Sequence, residues 1–228
     1  MKFLLTNDDG IDAPGLAALW AAVGEWGEVA TVAPAAHVSG CSHQVTTQQP
    51  LRIAARGAAR FAVDGMPADC VRAALHSLAP EVAWVLAGIN AGANVGADVY
   101  VSGTVAAVRE AALHGRPGIA ISQYIKRNLP VDWGLAAACL TPLLRELVGQ
   151  PWTPGTFWNI NLPHLETGTA PPEVVFCPLD PHPLPVTFRR DGDFLHYEGN
   201  YHLRPRVQGG DVDVCFQGKI AVTRLSLV

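Results

Sequence analysis

The stretch KFLLTNDDGIDAPGLAALWAAVGEWGEVATVAP (2–34) decides how the chain folds. KFLLT (2–6) is an apolar run of strand length, and EVATVAP (28–34) is a second. Between them Pro14 stands where a helix begins, Leu16, Leu19, Trp20 and Val23 recur at i, i+3, i+4 and i+7 on one face, and Gly24 and Gly27 mark the end. Strand, helix and strand in so short a span make a crossover unit of a parallel sheet. The pattern repeats. Pro67 to Leu78 places Val71, Ala74, Leu75 and Leu78 on one helical face, and AWVLA (83–87) follows as a third strand. A helix over 104–114 leads to a strand at GIAIS (118–122), and Leu135 to Val148 is again helical, with Pro142 predicting a kink or a break. The fold class is therefore α/β.

Beyond about residue 150 the texture becomes Pro-rich, polar and aromatic, with strand-like runs at FWNINL (157–162), EVVFC (173–177), DVDVCF (211–216) and KIAVTRLSL (219–227). Gln217-Gly218 fits a hairpin between the last two. The expected organisation is a catalytic domain over 1–150 and a smaller β-rich extension over 151–228 that serves as an oligomerisation arm and not as an independent domain.

Composition narrows the function classes. Hydrophobic residues make up 49% of the 228 and charged residues 16%, a low charge fraction that predicts apolar surface buried between subunits, hence a homo-oligomer. A net charge of −4 offers no basic stripe for a polymeric nucleic acid. Five cysteines, odd in number and without C-x-x-C, indicate neither a disulfide framework nor a zinc site. No secretory leader and no apolar run of about 18 residues is present, which predicts a cytoplasmic protein and no membrane partner.

In an open α/β sheet ligands bind beyond the carboxyl ends of the strands, and the unusual polar residues of this chain fall there. Asn7-Asp8-Asp9-Gly10 follows the first strand. By itself Asp-Asp-Gly is more often a turn than a ligand pair, and both carboxylates reach one cation only if the chain bends, for which Gly10 supplies the freedom. APAAHVSG (33–40) follows the second strand and offers the Ser39 hydroxyl; GINAGANVGAD (88–98) follows the third, with Asn90 and Asn94 among glycines that let a backbone curl around an anion. Ser102-Gly103-Thr104 precedes a helix, a place suited both to capping and to phosphate. Neither the dinucleotide fingerprint nor a Walker loop occurs. Together these loops make a hard, all-oxygen set suited to Mg²⁺ or Mn²⁺, and the chemistry implied is phosphoester hydrolysis.

TNDDGIDAPG (6–15), AP followed by SG (33–40), DGMPADC (64–70), GINAGANVGAD (88–98), VSGTVAAVREAALHG (101–115) and NINLP (159–163) resemble, in order and spacing, the SurE family of nucleotidases. That resemblance implies a Rossmann-like, mostly parallel sheet with flanking helices, an exchanged C-terminal arm and a homodimer or homotetramer. It implies hydrolysis of nucleoside 5′- and 3′-monophosphates, with polyphosphate as a further substrate, dependent on one divalent metal ion. By the same resemblance Asp8, Asp9, Ser39 and Asn90 are the metal ligands, and Asn94, Ser102, Gly103 and Thr104 hold the phosphate.

Asp8 and Asp9 are the expected catalytic residues, Asp9 by orienting or deprotonating the attacking water. Among eight histidines His43 is a candidate leaving-group acid because it lies near the Ser39 loop. Asp64 and Asp69 read as caps of the helix that follows them. Two other classes compete: a non-catalytic nucleotide- or phosphate-binding module, and a serine esterase. The adjacent carboxylates argue against the first, because an anion binder gains nothing from them without a metal. The absence of G-x-S-x-G around Ser39 and Ser102 argues against the second.

Overall fold

The computed structural model describes residues 1–126, 129–168 and 170–228. The elements run β1 (Lys2–Thr6), α1 (Pro14–Val23), β2 (Glu28–Pro34), β3 (Ile53–Gly57), β4 (Arg60–Val63), α2 (Pro67–Ala73, continued by a π-turn over Ala74–Leu78) and β5 (Trp84–Ala91). They continue with α3 (Gly103–Leu113), β6 (Gly118–Gln123), α4 (Trp133–Gly149), β7 (Thr156–Leu162), β8 (Val174–Phe176), β9 (Phe188–Asp191), β10 (Phe194–Tyr197), α5 (Asp211–Phe216) and β11 (Ile220–Ser226).

Among the described residues nine strands form one sheet in the order β3-β4-β2-β1-β5-β6-β7-β11-β8, and β9 and β10 pair only with each other. The five central neighbours, β2 through β7, are all parallel; antiparallel pairing enters at β3 with β4 and at β7 with β11. The expected α/β class and mostly parallel sheet with flanking helices are what the chain adopts, and residues beyond 150 contribute β7, β8 and β11 to that same sheet.

Strand alternation divides the core into two layers. Phe3 and Leu5 face one side with Leu86, Ile119 and Ile160, under α1 and α4; Leu4 faces the other with Val32, Val85 and Ala120, under α2 and α3. All nine of these side chains on the central strands are sealed from solvent. Close approach is achieved with glycine. A Cβ on Gly15 would lie 2.0 Å from the Ile89 carbonyl oxygen, so α1 rests directly on the β5 backbone.

Four expectations are corrected. DVDVCF is the helix α5, not a strand: Val212, Val214 and Cys215 pack inward, and Asp211, fully buried, accepts from the Gly96, Asp180 and Val212 amides. Gln217-Gly218 consequently ends a helix and does not turn a hairpin. Trp20 leaves the buried face of α1, which is Leu16, Leu19, Ala22 and Val23, and is 55% exposed. Pro142 does not split α4, which runs unbroken over 17 residues. Among the described residues no helix is long and apolar enough to cross a membrane.

Candidate active site

The carboxyl edge of β1 and β5 collects most of the residues singled out above. After Thr6 the chain turns sharply: the Asn7 amide donates to the Gly10 carbonyl at 2.8 Å and accepts from the Gly10 N–H at 3.2 Å, with Gly10 at φ +106°. That bend is the one the adjacent carboxylates need. It sends them toward different neighbours. Asp8, 3% exposed, accepts a hydrogen bond of 2.6 Å from the Thr104 hydroxyl at the start of α3. Asp9 accepts from the Ala91 N–H at the end of β5 (3.0 Å) and lies 3.2 Å from Nδ1 of His37.

The loop after β2 is held by its backbone. The Val38 N–H donates to the Asp8 carbonyl at 2.8 Å, which lays the exposed Ser39 loop across the Asp8-Asp9 turn. Asn90 is placed by a β-bulge: pairing of β5 with β6 shifts between Ala87 and Asn90, at Gly88 with φ +141°. Bulges of this kind re-aim side chains at sites. Asn90 then donates its amide N–H to the Gly92 carbonyl at 2.7 Å, which fixes the orientation of its oxygen.

Ser102 caps α3, its hydroxyl accepting from the Val105 N–H at 3.1 Å. Gly103 is wedged against the site, since a Cβ there would fall 2.8 Å from Cys41 Sγ and 2.9 Å from Asp8 Cβ. The Gly103 and Thr104 N–H groups lie in the first helical turn, where no intrahelical acceptor exists. Asn94 is engaged inward: its amide donates to Ser122 Oγ at 2.8 Å, and its backbone is gripped by Asn159 and Asn161.

The electrostatics test whether a cation fits. Burial raises the Asp8 carboxyl above its ordinary pKa and the neighbouring Asp9 charge raises it further, against the Thr104 hydroxyl, which lowers it. No Lys or Arg is paired with either carboxylate among the described residues. Among the described residues two close carboxylates, one of them buried, thus have no Lys or Arg partner and only the exposed His37 beside Asp9, a condition a divalent ion relieves. Among the described residues no group of three or more His, Cys, Asp and Glu could hold a metal, so an ion here would be held by two carboxylates, neutral oxygens and water. That donor set suits a hard divalent cation.

Sequence reasoning missed the support behind the site. Ser122, Asn159 and Asn161 are fully buried polar residues on β6 and β7 that tie down Asn94. Their signal was the period-2 spacing of two asparagines in an otherwise apolar strand. His43 donates or accepts at 2.8 Å with Glu110, which also meets His114 at 3.0 Å and Arg72 at 3.5 Å. Asp69 caps as expected, accepting from the Met66 N–H, and additionally binds both the N–H and the hydroxyl of Thr46; the N-cap itself is Met66, not Asp64.

Comparison with known proteins agrees with the fold just described. The family model "Survival protein SurE" matches residues 3–179. The chain is 52% identical over 225 residues to the protein alr3139 of Nostoc sp. (strain PCC 7120), covering 99% of each. It is 36% identical over 246 residues to the 5′-nucleotidase SurE of Roseobacter denitrificans, covering 98% of this chain and 92% of that one. The crystal structure of the SurE protein from Aquifex aeolicus superposes with a TM-score of 0.88 at 28% identity, covering 100% and 94%. By sequence over nearly its whole length and by fold, this chain belongs to the SurE family.

Proposed function

We propose that the chain is a divalent-metal-dependent nucleotidase that releases phosphate from nucleoside 5′- and 3′-monophosphates, with polyphosphate as a further substrate. The observation that carries this is the adjacent Asp8–Asp9 pair, with no Lys or Arg partner among the described residues, beside the N–H groups of the first turn of α3, which have no intrahelical acceptor. Relatives bearing the name 5′-nucleotidase support the same reading. Asp8, Asp9, Ser39 and Asn90 would hold one Mg²⁺ or Mn²⁺, which when bound supplies Lewis acidity toward the phosphoryl oxygens.

The chain's own groups do the remainder. Thr104, donating to Asp8, orients that carboxylate and opposes the burial that raises its pKa. The Gly103 and Thr104 N–H groups and the Ser102 hydroxyl bind the equatorial oxygens, stabilising charge as it develops. Asn94 belongs to this group through the loop it anchors, since its amide is committed to Ser122. Asp9, on the open side of the turn, orients or deprotonates the attacking water. His43 is bound to Glu110, which makes it a support of α3 before it is an acid.

The test is a substrate panel with Mn²⁺ present: 5′- and 3′-nucleoside monophosphates, polyphosphate, a phosphodiester and a carboxylic ester. Phosphate release from the monoesters, with the diester and carboxylic ester untouched, is expected. Ester cleavage without phosphate release would point to a serine hydrolase, and no turnover of any substrate to a binding module.

Location and assembly follow the same reading. All five cysteines are free thiols, as suits a reducing cytoplasm. Among the described residues the β9–β10 ribbon pairs with no other strand, and it exposes Phe188 (52%), Phe194 (72%), Leu195 (64%) and Tyr197 (54%). An isolated two-stranded ribbon is marginal in water, so a second copy of the chain is its natural cover, in a dimer or tetramer. Phe188 and Leu195 share one face by register. Replacing both, Phe188→Glu with Leu195→Glu, should reduce the mass by light scattering to that of a single chain. An unchanged oligomer would refute this assignment of the arm.

A further inference from the structure

A cavity of about 620 Å³ opens at the amino end of α4, within the roughly 300–1,000 Å³ usual for small-molecule sites. Its apolar wall is Pro130, Val131, Trp133 and Leu165, and its polar rim includes Asp132 and Thr167. The segment 129–133 follows β6 and the segment 164–167 follows β7, so the cavity stands at the same carboxyl edge as the Asp8–Asp9 turn. Trp133 joins the two. A Cβ on Gly15 would lie 2.0 Å from the Ile89 carbonyl oxygen and 3.1 Å from the Trp133 ring, so the indole sits beside the residue that precedes Asn90.

We infer that this cavity is the nucleoside subsite, with the base lying against the Trp133 indole while the phosphate occupies the edge of β1 and β5; the inference rests on the nucleotidase reading above. The indole is only partly buried, lines the cavity and packs on the core, which holds it in place as a platform. Stacking on such a platform is tolerant of base identity, because every base has a π-face. Asp132 caps α4 through the Leu135 N–H at 2.9 Å and receives the Thr167 hydroxyl at 3.0 Å, bridging the two walls. A carboxylate has about four acceptor sites, so capacity remains for a ribose hydroxyl.

A second cavity, of about 360 Å³, is a poorer candidate. It is lined by Val29 and Thr31 in the amino-terminal half of β2, by Ile11–Ala13 and Trp20, and by Arg60, which donates to the Ile11 carbonyl and Asp12. Ligands in open α/β sheets bind beyond the other ends of the strands.

The test is steady-state kinetics of the full-length protein with Mn²⁺, comparing nucleoside 5′-monophosphates with ribose 5-phosphate, which carries the same ester and no base. Trp133→Ala should raise KM for the nucleotides about 5- to 150-fold, the equivalent of about 1–3 kcal/mol of stacking. KM for ribose 5-phosphate should be unchanged, and Trp133→Phe should stay within a few-fold of wild type. Thr167→Trp fills the cavity from an exposed position and should raise nucleotide KM in the same selective way. Equal loss with both substrates in both variants, or unchanged nucleotide KM in both, would overturn the subsite while leaving the nucleotidase reading intact. A wild type inactive on every phosphoester would instead overturn the reading on which it rests.

Discussion

Asp8→Asn should lower phosphate release by about a thousandfold while leaving the protein folded and no less stable. The loss follows from what the carboxylate is for. Metal-assisted charge stabilisation is worth several kcal/mol, and each 1.36 kcal/mol is a factor of ten in rate. Stability should move the other way. A carboxyl whose folded pKa is raised above its unfolded value favours folding while it is protonated, and that contribution is lost as pH rises through the folded value. At neutral pH, in chelator, charged Asp8 therefore costs stability, and its neutral isostere removes the cost. Melting of the variant should lie at or above that of wild type at pH 7, with the difference closing below about pH 4, near the ordinary carboxylate range. Asp9→Asn should also abolish most turnover, through loss of the water-orienting carboxylate. Retention of near wild-type turnover by Asp8→Asn would show that the cation is held elsewhere.

The second large effect is structural. Gly88→Ala should destabilise the protein by about 2–5 kcal/mol, from overpacking of about 1–3 kcal/mol and left-handed strain of about 1–2 kcal/mol. The added Cβ would meet the Ile121 carbonyl oxygen at 2.2 Å, and that partner is backbone of the adjoining strand β6 and cannot swing away. At about 2–4 °C per kcal/mol for a chain of this size, melting should fall by roughly 4–20 °C. Gly149→Ala is the control. Gly149 closes α4 with nothing within 4 Å of a Cβ, so the same change there should leave melting unaltered or slightly raised. A Gly88→Ala protein melting within about 2 °C of wild type would mean that the bulge relaxes, and the account of how Asn90 is aimed would fail with it.

The fold was legible where periodicity and burial agree. β1, α1 and β2 are apolar on the faces their spacing demands, with Trp20 the exception because a large ring at the margin of the stripe falls outside it. α5 was misread because six residues alternating Asp, Val, Asp, Val suit a half-buried strand as well as a short helix, and the buried Asp211 that settles the matter binds amides distant in sequence. β3 and β4 were passed over because their residues are largely exposed or small.

At the candidate site, motif position after strands located the Asp8-Asp9 turn, Asn90 and the start of α3, because topology alone gathers those loops. Detailed engagement was not legible. That Asn94 would spend its amide on Ser122, or His43 meet Glu110, depends on residues tens of positions away. Trp133 was invisible for the same reason: its place beside Ile89 arises from packing of α4 against α1, not from any local pattern.

The central claim is that this edge works through a divalent cation held by Asp8 and Asp9. Its most direct test is phosphate release from a nucleoside 5′-monophosphate by chelator-treated protein as Mn²⁺ is added back. Activity absent in chelator and restored by Mn²⁺ is the predicted result; release that is unaffected by chelator would contradict it.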